Sequence, residues 1–338
     1  MSRRATPLRA LVVTGAALLL LVAAVALGFT TGVEHVDLGR AFSDSSSVDA
    51  QILFGTRVTR VLLGALVGAA LSAAGVAFQA LLRNPLADPY VLGISGGASV
   101  LGTLAIVVGA GQGVLGLWTL PVWAFAGAMG AVVVVFSLGR VRGRLVPNMA
   151  LLAGVVLNAL AGAIILAIRI LASPNALHEA LYWLTGVLGA VDWSQLAVLA
   201  VYVTVGLAML YAQAVPMNAF ALGDEAAHTV GVDVQRARRA IFLAASLLTG
   251  AAVAMAGPIG FVGIVVPHLM RGLLGPDHRV LLPAAALGGA AFLVAADTLA
   301  RIAFLAVGTE PPVGVVTALT GAPFFLVVLR RRGGTRIF

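Results

Sequence analysis

The sequence contains no cysteine and no lysine. Without cysteine there is no disulfide and no thiolate metal site. Without lysine there is no P-loop, whose lysine grips the nucleotide phosphates. If ATP drives this protein, another subunit binds it. Charge of any kind is also scarce. Only 10% of the 338 residues are charged, against about 25% in soluble domains. The net charge of +8 comes entirely from an excess of arginine. In so apolar a chain it points to basic loops on one side of a membrane rather than to nucleic acid.

What replaces the missing polar residues is hydrocarbon, 61% of the chain. Residues Ala10–Val33, Val61–Leu82, Pro89–Gly139, Leu145–Ile168, Trp193–Gly223 and Ala240–Met270 contain no Asp, Glu, Lys or Arg. A membrane-crossing helix needs about 20 such residues. A β-barrel would instead show short alternating segments, and none is present. The chain therefore reads as an all-α polytopic membrane protein, 1–338 forming a single domain. Spans are expected near 10–30, 61–82, 91–109, 120–139, 148–170, 194–214, 240–257, 259–274, 280–300 and 311–329. The apolar run after Arg3, Arg4 and Arg9 exceeds the 7–15 residues of a signal peptide core and is read as an uncleaved first span.

With ten spans, most arginines sort to one face: Arg3, Arg4, Arg9, Arg83, Arg140, Arg142, Arg144, Arg236, Arg238, Arg239, Arg271, Arg279 and Arg330–Arg332. The positive-inside rule makes that face, and both termini, cytoplasmic. The 240–270 run must cross twice, as two short helices joined at Gly257-Pro258, to keep Arg330–Arg332 inside. GAALSAAG at 68–75 resembles GAAVAMAG at 250–257. The first lies on a span running inward and the second on one running outward, the pattern of an inverted repeat. Small residues at these positions also suit close helix packing.

Three polar segments and a few isolated arginines interrupt the hydrocarbon. RNPLADP, residues 83–89, carries two helix-stopping prolines and is expected to be a stiff turn. Residues 217–239 form the longest polar stretch on the inner face. Ala219 to His228 is expected to fold as short helices broken at Gly223 and Gly231, with Asp224 and Glu225 favouring a helix start. A solvated loop would not need Phe220, Leu222, Val230 and Val232, so a docking surface is the alternative to a plain connector. Residues 172–193 lie on the outer face, where 176–184 reads as a short amphipathic helix. Tyr182, Trp183 and Trp193 suit an aromatic belt, or a lid. Arg57, Arg60 and Arg301 sit on the outer face, where arginine is disfavoured. Snorkelling, pairing of Arg301 with Asp297 or Glu310, and recruitment of an acidic partner are the three readings. Asp297 alone is too little for a proton relay. The five histidines show no ligand spacing, so neither a metal site nor a cofactor is expected.

RNPLADPYVLGISGGAS, GDEAAHTVGV, GPIGFVGIVVPHLMR and ADTLARIAF followed by PPVGVVTALTGAPFF together resemble the permease subunit of ABC importers for iron–siderophore complexes, heme and cobalamin. The resemblance runs through nearly the whole chain. It implies about ten helices per subunit, a homodimer or pseudo-dimer around one pathway, two separate ATPase subunits on the cytoplasmic face and a periplasmic or lipid-anchored binding protein. It implies a multi-pass protein of a bacterial or archaeal cytoplasmic membrane, a translocation subunit and not an enzyme. By the same resemblance Ala219, Gly223, Asp224, Glu225, Ala226, Ala227, Thr229 and Gly231 would couple to the ATPase. Arg57, Arg60 and Arg301 would dock the binding protein, and Asn84, Leu86, Asn158, Ala161 and Gly162 would lie along the gated path. The cargo expected first is an iron(III) chelate, siderophore or heme, with cobalamin as the alternative. A gradient-driven secondary carrier is the competing class.

Overall fold

The computed structural model describes residues 6–32, 34, 36–109 and 116–332; the side chains of 305–307, 328, 329, 331 and 332 are not described. Arg3, Arg4 and His35 of the sequence reading lie outside the described residues. Among the described residues fourteen helices follow in order: α1 (Pro7–Thr30), α2 (Leu38–Ser43), α3 (Val48–Leu81), α4 (Ile94–Val107), α5 (Thr119–Leu138), α6 (Pro147–Ile170), α7 (Pro174–Leu184), α8 (Trp193–Ala212), α9 (Ala214–Phe220), α10 (Asp224–Thr229), α11 (Val234–Ala256), α12 (Val262–Leu274), α13 (His278–Val307) and α14 (Val313–Arg332). A two-residue hairpin ladder pairs Arg140–Val141 with Arg144–Leu145.

Among the described residues, seven helices are long and apolar enough to cross a membrane, and Ile94–Val107, Val262–Leu274 and Val313–Val327 are shorter apolar helices. Together these occupy the ten expected spans. The third differs from expectation. The sequence suggests a crossing over 91–109, but α4 has 14 residues, about 21 Å at 1.5 Å per residue. The missing length is non-helical. Pro89–Leu92 form a 3₁₀ turn, and Gly93 at φ 80 turns the chain into α4. The second half repeats this plan. After α11 the chain leaves the helix at Gly257 (φ 66), passes Pro258, and enters the 13-residue α12 from Phe261 (φ 70).

The halves interlock. α3 packs against α12 and α13, while α11 packs against α4 and α5. The ends of α3 and the start of α11 meet through Asp224, which bonds both Arg83 and Arg238. So α3 and α11 run in opposite directions, as the GAALSAAG and GAAVAMAG segments suggest.

Contact this close requires glycine. A Cβ on Gly68 would stand 2.2 Å from the Gly289 carbonyl oxygen, and one on Gly75 would stand 2.0 Å from that of Gly263. Gly97 and Gly127 face each other in the same way between α4 and α5. Removing side chains lets backbones approach and gain dispersion contact where no hydrophobic effect drives helices together. α3 is buried on nearly all sides, whereas α1 and α6 are mostly exposed.

Overfilling a packed interface typically costs about 1–3 kcal/mol. Gly75→Ala and Gly68→Ala should each lower the thermal midpoint of the detergent-solubilised protein by several degrees. Gly130→Ala, at a site with nothing within 4 Å, should leave it unchanged in the same melt.

Candidate functional site

At the end of the molecule where α3 begins, Arg57, Arg60 and Arg301 come together, but each is engaged within the chain. Residues Gln51–Arg57 are wound as a π-helix, a wider turn that alters side-chain direction at the start of α3. The Arg57 guanidinium donates to the carbonyls of Phe29 and Glu34. Arg60 donates to both oxygens of Asp297, at 2.7–3.1 Å, and pairs with Glu310. Arg301 stands 3.2 Å from Asp297 and donates to the carbonyls of Gly28 and Thr31 at 2.8 and 2.7 Å, fastening the end of α1. Of the internal pairings expected for Arg301, the one with Asp297 forms, and Glu310 bonds Arg60. Neither Arg57 nor Arg301 is displayed to solvent, since both are buried. The side chain of Arg60 keeps 19% of its surface exposed and is the most accessible of the three. The physical reason is cost: a guanidinium at an apolar helix end must find acceptors nearby.

At the opposite end lies the 83–93 connector. Arg83, in the left-handed region at φ 49, ends α3. Asn84 is exposed, and its Oδ1 accepts from the Leu86 amide at 2.9 Å, so the side chain shapes the turn. Leu86 is half-buried. Asp88 accepts from the Tyr90 amide at 2.9 Å. Burial pushes the Asp88 carboxyl up to about 6. Tyr90 then joins three elements. Its hydroxyl accepts from the Ile259 amide at 2.6 Å, in the break before α12, and its carbonyl accepts from Asn158 Nδ2 of α6 at 2.8 Å. Ala161, one turn along α6, is buried, while a Cβ on Gly96 of α4 would lie 3.1 Å from it. Gly162 is exposed, with nothing within 4 Å of an added Cβ. Asn158 and Ala161 therefore face the connector and α4, whereas Gly162 faces away. Sequence reasoning passed over Tyr90; its place directly after the second of two prolines, in DPYVLG, was the available signal.

Beside this connector stands the 217–239 segment. α9 and α10 are separated at Gly223 (φ 103), and α10 is followed by Gly231 (φ 86). Asp224 and Glu225 occupy the first turn of α10. Within it Ala227 is fully buried, as is Phe220 just before, and Ala219 is buried as well. Leu222 and Val230 are the exposed apolar residues, 69% and 66%. Glu225 and Thr229 are exposed, with the Thr229 hydroxyl turned back onto the Glu225 carbonyl at 2.6 Å; Ala226 is half-buried. So Ala219 and Ala227 seat the segment on the body, and its outer surface carries Leu222, Glu225, Thr229 and Val230. A cavity of about 550 Å³ lined by Arg144, Asp224, Glu225, His228, Asp233 and Gln235 opens beside it. Asn218 ties α9 to the start of α13, donating to Asp277 at 2.8 Å and accepting from the His278 amide at 2.9 Å. The Arg279 guanidinium holds the Asp277 carboxyl well below the usual range.

The 172–193 segment departs from the expected belt. Tyr182 and Trp193 are exposed, but Trp183 is buried over Gly102 of α4, and Leu188 is buried too. The Val187 amide donates to Ala256 at 2.8 Å, and Gly186 accepts from the Gly314 amide at 3.1 Å. The segment is a wedge between the two halves.

A model of the FecCD transport family matches residues 16–331. The chain belongs to that family. Among its relatives, the cobalamin import system permease protein BtuC of Halobacterium salinarum is 46% identical, over 84% of this chain and 74% of the relative. The hemin transport system permease protein HmuU of Yersinia pestis is 41% identical, over 87% and 88%. The vitamin B12 import system permease protein BtuC of Escherichia coli O139:H28 is 38% identical, over 93% of each. A solved chain described as a metal-chelate type ABC transporter, in an inward-facing conformation, superposes with a TM-score of 0.81 at 28% identity, covering 94% of this chain and 98% of that one. This FecCD chain is thus a multi-pass permease of the ABC importer type, and the family match extends over every segment described above except the first residues of α1 and the end of α14.

Two outcomes test the site's electrostatics. Asp297→Asn removes the anion shared by Arg60 and Arg301, and breaking a buried pair costs about 3–5 kcal/mol. It should sharply lower the yield and thermal midpoint of folded FecCD protein. Arg40→Ala, removing an exposed partner of Asp49 at 3.7 Å, should cost less than about 1 kcal/mol. Asp88 gives a pH dependence. An exposed aspartate loses its proton near 4, whereas Asp88 holds its proton to about 6. The folded state therefore carries the extra proton between those values, and stability falls as pH rises through them. Thermal melts across pH 4–7 should show that slope, and Asp88→Asn should flatten it.

Proposed function

We propose that the chain is the membrane-spanning subunit of an ATP-driven importer that passes a bulky metal chelate across a bacterial or archaeal cytoplasmic membrane by alternating access. The observation that carries this reading is the family match over 16–331, joined to a glycine-flanked helix, α10, whose outward surface is suited to docking. ATP binds elsewhere, on two ATPase subunits seated on α9 and α10 through Leu222, Glu225, Thr229 and Val230, with Gly223 and Gly231 as hinges and Asp224, Ala226 and the buried Ala219 and Ala227 holding the segment's form. The end bearing Arg83, Arg140, Arg144, Arg236, Arg238 and Arg279 faces the cytoplasm, as do both termini.

At the outer end, Arg60 is the first contact for an acidic binding protein, with Arg57 and Arg301 contributing field rather than direct bonds. Asn84 and Leu86 form the inner mouth of the path. Asn158 and Ala161 hold α6 against the connector, and the exposed face of α6 around Gly162 lines the path or meets a second copy of the chain. The gradient-driven alternative calls for a series of buried carboxyl groups along one path. Asp297 is instead taken up in pairs with Arg60 and Arg301, and Asp88 lies in the connector at the opposite end of α3.

The cargo expected first from sequence is an iron(III) chelate. The 46% identity to a cobalamin permease against 41% to a hemin permease favours testing the corrinoid beside it. Proteoliposomes holding the chain with its ATPase and binding-protein partners should accumulate one of radiolabelled cyanocobalamin, hemin or a ferric siderophore only when ATP is supplied. Accumulation by the chain alone under a proton or sodium gradient would overturn the assignment.

A further inference from the structure

Asp224 is the meeting point of three elements. Its carboxylate accepts from Arg238 of α11 at 2.7 and 2.6 Å, and it also pairs with Arg83, the residue that ends α3. The three side chains differ in environment. The side chain of Arg238 is 10% exposed, with its guanidinium 5.7 Å from the centre of the buried Phe220 ring. Those of Arg83 and Asp224 are 44% and 45% exposed. One arm of the clasp is therefore fixed in the body, and the other reaches across water-accessible surface to the connector.

The surroundings make this more than a surface ion pair. α10 has six residues and stands between Gly223 and Gly231, both in backbone regions that only glycine occupies without strain. The two glycine turns set this helix off from α9 and α11 as a separate unit. Arg83 itself is a non-glycine residue at φ 49, a conformation that persists when its surroundings enforce it. The next residue, Asn84, shapes the turn through the Leu86 amide, and the connector ends at Tyr90, bonded to Asn158 of α6 and to Ile259 before α12. A continuous series of bonded groups thus leads from α10, through Asp224 and Arg83, to both helix breaks.

We infer that the Arg83–Asp224–Arg238 clasp is the link that carries displacement of α10 to the 83–93 connector, with Asp224 and Arg83 as positioning residues for the inner mouth. This rests on the proposed coupling of α10 to an ATPase subunit. Pulling α10 outward either draws Arg83 with it or breaks the exposed arm while Arg238 keeps its hold. The connector moves only in the first case.

The absence of cysteine provides the assay. Leu86→Cys is the single thiol in the chain, and its maleimide labelling rate with and without ATP reports on the connector, with no cargo needed. The measurement uses the full complex with its ATPase subunits. Arg83→Gln should shrink the ATP-dependent change in labelling about fivefold, the low end of coupling between sites, while ATP hydrolysis and retention of the ATPase subunit persist. Arg83→Lys should restore most of the change. Asp224→Asn and Arg83→Gln together should do no more than either alone, because they break one link. If Arg83→Gln is not recovered folded, Arg83→Met repeats the measurement with the stem retained. An unaltered labelling change in the Arg83 variants, or additive effects in the double variant, overturns the clasp and leaves the proposed function standing. Failure of the unsubstituted chain to hold any ATPase subunit overturns the proposed function and the clasp with it.

Discussion

Hydrocarbon offers no hydrogen bonds, so every backbone amide and carbonyl within the membrane must be satisfied by the protein itself. This chain meets that demand with helix nearly everywhere, yet it leaves helix just before each of the short helices α4 and α12, at 89–93 and at 257–261. The fold turns on how the breaks are closed. Tyr90 supplies a hydroxyl to the Ile259 amide and a carbonyl to Asn158, so each break finds partners in the other or in α6. The glycine contacts of α3 with α12 and α13 bring the breaks close enough for one tyrosine to span them. Short helices, broken backbone and tight crossings are one arrangement seen at three scales.

The two ends of the molecule handle charge differently. Where α3 begins, Asp297 sits between two arginines and is almost wholly buried. It joins α3 to α13 through Arg60, and Arg301 in turn fastens the end of α1. At the other end Asp224 also sits between two arginines, but half of that group is wet. A buried arrangement is costly to disrupt, and an exposed one is screened by salt and readily rearranged. Rigidity at one end and compliance at the other follow from the same pair of side-chain types in different surroundings.

Much of this was legible in sequence. Charge-free runs located ten helices. Gly223 and Gly231 marked the limits of α10, because few other residues tolerate those backbone angles. What was not legible depends on which distant groups meet. Nothing near Arg60 in sequence announces Asp297 and Glu310, more than 230 residues away, so arginines that looked available for a partner proved to be internally engaged. Trp183 reads as an interfacial aromatic by composition, yet Gly102 leaves a hollow that only the folded packing reveals. Ala219 and Ala227 lie on the buried face of their segment, a distinction that two short helices are too brief to show by periodicity.

The wedge formed by residues 183–188 bears on how the chain is made. The Gly186 carbonyl waits for the amide of Gly314, and the Val187 amide waits for the carbonyl of Ala256. During synthesis these groups are inserted long before their partners leave the ribosome. The first half therefore cannot reach its final packing alone. The seam closes only when α14 is in place, because the Gly186 carbonyl has its partner at the start of that helix.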